Sequence, residues 1–302
     1  MIIYLDQNKW IELSKMIHGK DSSARAARVV AAFTAATESS AAVVPVSAIH
    51  YMETARISNA GRRSRLGRAM WQVSRGHTMA AYQIVVRHEL AVALSKHFPQ
   101  VQPGQLKLIG RGSYHAFGMC PPSGLLAVFS EEVEKAMLCG SGDLNLDPPS
   151  SRSSKHRESF RKHLEGLHQR SLQLPKDKVE NWLYATLLTD IVKPFYDVFS
   201  TFGISKGDFE AIGESRVKAL IDDMPTRHLD LHLHKQVLAN PNYLAKVTDL
   251  EDWVGVGVAA CYCDVVVCEK HMADMLRRAN YKTKARVETD LEKTFVLLTE
   301  GA

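Results

Sequence analysis

The chain has no apolar run of the roughly 18 residues that a membrane-spanning helix needs, and its opening apolar stretch carries no basic lead. Neither a membrane span nor a secretory signal is therefore expected. A disulfide framework is not expected either, because five cysteines in 302 residues is an odd count that suits reduced thiols in a cytoplasm. Cys261-Tyr262-Cys263 has one residue between its thiols, which is neither a zinc nor a redox spacing. His228, His232 and His234 come without a His-Glu-x-x-His motif, and no Gly-Lys-Ser/Thr follows Gly110-Arg111-Gly112 to make a phosphate loop. No internal repeat is present. What remains is an ordinary globular composition, 45% hydrophobic and 24% charged, with a net charge of +5 that permits a polyanionic partner without demanding one. The length allows two domains, or one domain with a large insertion.

The most informative stretch is the beginning. Ile2, Ile3, Tyr4 and Leu5 form a short β-prone apolar run, which predicts a strand buried on both faces. Asp6, Gln7 and Asn8 follow, and then Trp10, Ile11, Leu13 and Met16 recur at helical spacing. In an open α/β sheet the carboxyl ends of the strands face the ligand crevice, so Asp6 stands where chemistry is done. It is also a good helix cap, which is the plainer reading of this residue taken alone.

Ser22 or Ser23 is placed to cap a second helix. The run 41–46 predicts a second strand, with Pro45 marking its end or an edge. Ser47 then caps a helix, 48–58, that bears Glu53. Strand, helix, strand, helix implies a right-handed parallel unit. From 60 to 243 the texture changes to helical patterns at about 80–97, 130–138, 156–170, 177–201, 207–221 and 226–239, broken by an irregular stretch at 106–123 and a Gly/Ser/Pro-rich linker at 140–154. This region is expected to be a mostly helical insertion that adds no strand to the central sheet. The α/β texture returns with a helix led by Thr248 or Asp249, the strand Asp264-Val265-Val266-Val267-Cys268 followed by Glu269 and Lys270, and a last helix in which Thr289 and Glu292 have capping-box spacing. The domains are thus expected at 1–59, 60–243 and 244–302, the first and third forming one unit.

Asp6, Glu53, the pair Asp249 and Asp252, and Glu269 fall at equivalent topological places, which a parallel sheet brings to one rim. Like charges at one rim repel, and a hard divalent cation neutralises such a set. All-oxygen ligation suits Mg²⁺ or Mn²⁺. Each acid by itself is equally an N-terminal helix partner.

The order of these pieces resembles a PIN-like nuclease domain, whose Rossmann-like parallel sheet is flanked by helices. The matching motifs are Tyr4-Leu5-Asp6-Gln7-Asn8, Ser47 through Glu53, Asp249-Leu250-Glu251-Asp252-Trp253, and Tyr262 through Lys270. The opening Leu-Asp-Gln-Asn-Lys-Trp is similar to a bacterial subgroup in which a helical region splits the domain. The resemblance covers roughly 1–75 and 245–302. It implies metal-dependent hydrolysis of phosphodiesters, RNA being favoured over DNA, with Asp6, Glu53, Asp252 and Glu269 holding one or two Mg²⁺ or Mn²⁺ ions. Two departures are Gln7, where a small hydroxyl residue is usual, and Glu269 in place of Asp. Asp249 or Asp252, and Glu269 or Asp264, remain open as the metal-facing member of each pair.

Around the rim, Asn8, Lys9, Arg56, Arg63 and Lys270 are the candidate substrate contacts. The expected function is a divalent-metal-dependent endonuclease, a toxin or defence ribonuclease being one setting for it. The alternatives are a catalytically inactive PIN-like protein that binds nucleic acid or another partner, and a metal-dependent phosphatase. The helical region is open to three roles: selecting substrate, forming a homo-oligomer, or receiving an inhibitory partner.

Overall fold

The computed structural model describes residues 1–120, 130–140, 153–279 and 281–300. Their order begins β1 (Ile3–Leu5), α1 (Gln7–Ile17), α2 (Ala24–Glu38), α3 (Ala48–Ala55), α4 (Ala60–Ser74), β2 (His77–Met79), α5 (Tyr82–Ser95), β3 (Ile109–Arg111) and α6 (Gly112–Phe117). Then come α7 (Ser130–Cys139), α8 (Ser153–Leu172), α9 (Val179–Asp190), α10 (Val192–Phe202), α11 (Lys206–Ala211), α12 (Glu214–Asp222) and α13 (Pro225–Ala239). The chain closes with α14 (Asp249–Tyr262), β4 (Val265–Val267), α15 (Lys270–Arg278), β5 (Arg286–Glu288) and α16 (Leu291–Glu300).

The central sheet is parallel, in the order β1-β4-β5, with Ile3 opposite Val265 and Leu5 opposite Val267. Its side chains alternate between two faces. Ile3, Leu5, Val265 and Val267 enter one core with Trp10, Leu13, Val29, Phe33, Leu66 and Met70. Tyr4 and Val266 enter the other, which holds Leu90, Leu164, Leu187, Leu229 and Val256. Helices cover both faces, as an all-parallel sheet requires. The fold is mostly helical with a small parallel sheet, an α/β arrangement. The helical region is no separate body, since α5, α8, α9 and α13 share the second core with α14 and α15.

Three expectations change. The run 41–46 forms no strand element. Instead Val43 bridges Ile2 and Val46 bridges Thr78, both in parallel. Pro45 lacks the N–H a continuous ladder needs, so the segment hands its hydrogen bonds to one side and then to the other. Through the single Val46 bridge the antiparallel pair β2–β3 abuts this edge, but it is a separate two-stranded sheet, and among the described residues the helical region adds no strand to the central three, as expected. The stretch 106–123 that looked irregular carries β3 and α6, its last residues lying outside the described part. At the last helix the cap is Asp290, whose Oδ1 accepts the Glu292 N–H at 2.8 Å, and not Thr289. The linker expected at 140–154 lies almost wholly outside the described residues.

Candidate metal and active site

Asp6 stands immediately after β1, where its N–H donates to the Val267 carbonyl at 2.9 Å and continues the parallel ladder. The same residue caps α1, its Oδ1 accepting from the Gln7 N–H at 2.8 Å. Asp6 is thus a helix cap at the carboxyl end of a strand of the parallel sheet. Glu269 stands in the equivalent place after β4, as the cap residue of α15. The Asn8 side-chain amide donates to Glu269 Oε1, tying the start of α1 to the end of β4.

Glu53 comes from α3, whose first turn is built in an unusual way. The Ser47 backbone N–H donates to His50 Nδ1 at 2.9 Å, the place a Glu or Gln would take in a capping box. His50 is fully buried, with its ring centroid 5.1 Å from Tyr4 and 6.2 Å from Trp10. Burial lowers its pKa to about 3, so it is a neutral packing and capping group. Asp252 comes from α14. One turn on, Gly255 lets this helix approach β1, because a Cβ there would sit 2.5 Å from the Tyr4 hydroxyl oxygen. Asp252 and Gly255 are three residues apart and share a helix face, so the close approach that needs glycine also carries the acid to the rim.

The electrostatics place these acids together. Burial raises the Asp6 pKa to about 6, and Glu269 adds to the rise while Lys9 opposes it. Glu53 is pushed up to about 8 by burial, then by Asp6, Asp252 and Glu251, with Arg56 opposing. Asp252 is likewise pushed up to about 8, by burial, then by Asp6, Asp249, Glu269 and Glu251. The buried Cys268 thiol, raised to about 12 chiefly by burial, also feels Asp6 and Asp252. As the side chains stand, no three His, Cys, Asp or Glu among the described residues are set around a common point that could hold a metal ion. Asp6 accepts from the Gln7 N–H and Glu269 from the Asn8 amide. The donor chemistry nonetheless suits a hard divalent cation, being carboxylate oxygens only, crowded and partly buried.

The remaining candidates divide. Asp249 is buried under its own loop, with Oδ2 accepting from the Tyr243 hydroxyl at 3.0 Å and the Lys246 N–H at 2.9 Å. It fixes the entry to α14 and reaches the other acids only through its charge on Asp252. Asp264 is at the opposite end of β4, where it accepts from the Ile2 N–H at 2.7 Å and pairs with Lys284 at 3.0 Å. A parallel sheet puts that end on the far edge, so Asp264 does not belong to the rim. Lys9 pairs with Glu12 at 3.2 Å and still lowers Asp6, which keeps it at the site. Arg56 pairs with Glu251 at 2.9 Å. Arg63 donates to the Met137 carbonyl at 3.3 Å and so braces α4 on α7. Lys270 is exposed beside Glu269.

Glu251, which sequence reasoning did not single out, is a fifth acid of this cluster. It is 3% exposed, meets Arg56 at 2.9 Å and Arg157 at 2.8 Å, and keeps Oε2 buried without a hydrogen-bond partner. Its signal was the acidic run 249–252, but the helical phase alone does not say which of those acids turns inward. Also unforeseen is a buried polar group under the second core. There Glu89 accepts from the Thr226 hydroxyl at 2.6 Å and the Tyr262 hydroxyl at 2.7 Å, while Arg227 meets Asp230 at 2.8 Å and the Tyr82 hydroxyl at 2.5 Å. Arg227 and Asp230 share α13, while the other contacts join different helices, so the group acts as a fastening between the helical region and α14.

No family model matches the chain, and no curated protein or solved structure matches it either.

Proposed function

We propose that this protein is a divalent-metal-dependent nuclease that hydrolyses phosphodiester bonds, with RNA as its expected substrate. One observation carries the reading: Asp6, at the end of β1, raises the pKa of both Glu53 and Asp252, and Asp252 raises that of Glu53, although the three come from distant elements. Crowded carboxylates at the ligand edge of a parallel sheet cost stability unless they serve a function. Asp6, Glu53, Asp252 and Glu269 are the residues that would hold Mg²⁺ or Mn²⁺, which when bound supplies a water of lowered pKa and neutralises charge in an in-line displacement.

The other residues have supporting tasks. Asn8 orients Glu269, and Lys9 offsets the charge of Asp6. Glu251, held by Arg56 and Arg157, fastens α14 to α3 so that Asp252 and Glu53 stay opposed. Burial of Asp6 limits its access to bulk water.

The test is calorimetric titration of the purified chain with Mn²⁺, followed by assays on RNA, DNA and nucleotide monophosphates with the metal present. Metal binding with strand cleavage supports the reading. Metal binding with release of phosphate from the monophosphates alone would assign a phosphatase. Absence of metal binding at neutral pH would leave a non-catalytic binding protein and refute the nuclease.

A further inference from the structure

Between the C-terminal half of α1 and the start of α4 lies an open cleft of about 400 Å³, lined by Lys15, His18 and Lys20 on one side and by Arg62 and Arg65 on the other. Lys15, Lys20, Arg62 and Arg65 are all exposed. The two walls are fixed to each other, since the His18 ring nitrogen Nε2 lies 2.9 Å from the Arg65 carbonyl oxygen. Asn59 sets the start of α4, its Oδ1 accepting the Arg62 N–H at 2.9 Å.

Charge pairing distinguishes this cleft from the surface beside it. On neighbouring faces of α1, α2 and α3 the cations are matched: Lys9 with Glu12, Arg25 with Glu12 and Asp290, Arg28 with Glu292, and Arg56 with Glu251. Among the described residues, no carboxylate pairs with Lys15, Lys20, Arg62 or Arg65. Four like charges around one concavity repel one another and are relieved by an anion.

The cleft also points at the acid rim. Gln7, Ile11, Ser14 and His18 follow one face of α1 at helical spacing. Gln7 is at the rim end, its Nε2 donating to the Thr54 hydroxyl at 3.2 Å, and Ile11 and Ser14 already line the cleft. At a rise of about 1.5 Å per residue, Lys15 on the α1 wall of the cleft lies roughly 14 Å along the helix from Asp6. A rim of carboxylates gives a polyanion no affinity of its own, so a strand cut there needs cationic contacts along its length.

We infer that this cleft binds the phosphodiester backbone of a single nucleic-acid strand on its way to the acid rim. The inference rests on the proposed nuclease reading for the direction of the strand, but not for the binding itself. Arg62 and Arg65 contact phosphate oxygens from α4, and Lys15 and Lys20 close the other side. These contacts read no sequence, because they address the backbone alone.

The test is fluorescence anisotropy of the full chain with a labelled oligouridylate, and with oligodeoxythymidylate as a second arm, in EDTA so that no cleavage intervenes. The double variant Arg62→Ala with Arg65→Ala should bind the strand about tenfold more weakly, and its log K against log salt should lose roughly 0.7 in slope for each phosphate contact removed. Arg62→Lys with Arg65→Lys should restore most of the affinity, because the positive charge returns. A tighter grip on the ribo-strand assigns RNA, and equal affinity assigns either strand, both in support. Wild-type binding that is undetectable at low salt, or an alanine variant with unchanged affinity and slope, overturns the inference. Because no metal is present, a rim that fails to cleave leaves this result untouched, and a failed cleft leaves the metal titration of the rim untouched.

Discussion

Arg157 Nε lies 2.8 Å from a carboxylate oxygen of Glu251, the residue before Asp252, although Arg157 belongs to the helical region and Glu251 to the segment that closes the chain. Arg157 Nε also donates to the Val247 carbonyl at 3.1 Å, just ahead of α14. One guanidinium therefore fixes both the entry to α14 and its first turn. The helical region is thereby wired to the acid rim through a single buried carboxylate.

Removing one partner of a buried pair leaves the other charge uncompensated. Arg157→Ala should destabilise the protein by about 2 kcal/mol, since Arg56 still faces Glu251. A double-mutant cycle of Arg157→Ala with Glu251→Ala, followed by denaturant unfolding, should give a coupling of about 1–2 kcal/mol. A coupling indistinguishable from zero would show that the pair does not fasten the region to the rim.

Much of this was legible in the sequence, and what was not has physical reasons. Ile3, Leu5, Val265 and Val267 announced buried strands because apolar β-branched runs have few other uses, and the acid following each strand was placed by topology alone. Asp249 and Asp252 stayed open because only the packing separates them: Gly255, on the Asp252 face of α14, is the residue that meets Tyr4. The strand expected at 41–46 failed because a propensity reading does not register that Pro45 splits its pairing between two neighbours. Glu251, Arg157 and the Glu89–Arg227 group stayed hidden because each becomes informative only through a partner far away in the chain. Asp264 and Glu269 are both acids flanking one strand, and only the parallel pairing with β1 separates the working edge from the far one.

Gly255 offers a second test, one of fold rather than of charge. Gly255→Ala sets a methyl group 2.5 Å from the Tyr4 hydroxyl oxygen, and Tyr4 is itself 1% exposed and fixed by its core. The overpacking should cost about 1–3 kcal/mol. Combining it with Tyr4→Phe removes the clashing oxygen and should recover a large part of that loss, as read by thermal unfolding. Equal melting of Gly255→Ala and the wild type would mean that α14 does not press on β1.

Asp6→Asn separates the two duties of Asp6. The asparagine keeps an acceptor for the Gln7 N–H, so the cap survives. It removes one of the charges that repel Glu53 and Asp252. Metal-free stability at neutral pH should therefore hold or rise by about 1 kcal/mol, while Mn²⁺ affinity falls and cleavage drops by orders of magnitude. A folded Asp6→Asn protein that cleaves RNA at the wild-type rate would reduce Asp6 to a helix cap.

The pH dependence of stability should run against the usual trend. Asp6 is raised from 3.8 to about 6, Glu53 from 4.5 to about 8 and Asp252 from 3.8 to about 8, in each case mainly by burial and then by the other acids. The native state thus binds these protons more tightly than the unfolded chain does. Their stabilisation is complete below the unfolded pKa values near 4 and is lost as pH rises, first through about 6 for Asp6 and then through about 8 for Glu53 and Asp252. The buried His50 and His234, each lowered from 6.5 to about 3, act the other way, because both resist protonation and favour the native state as pH rises towards 6.5. Well above that pH they are neutral in both states, and the falling limb belongs to raised carboxylates, the rim acids together with Asp230 of the helical region, which burial pushes up to about 7. Metal-free stability should fall between about pH 6.5 and 8, by no more than about 1.4 kcal/mol per pH unit for each titrating group. Mn²⁺ should reverse the slope, since it binds the ionised carboxylates and stabilises the native state by mass action. Denaturant unfolding across this range, with EDTA and then with Mn²⁺, measures both. Glu53→Gln and Asp252→Asn should each flatten the metal-free slope. A wild-type slope that is flat or positive in EDTA, and indifferent to either substitution, would show that these acids do not share one electrostatic site.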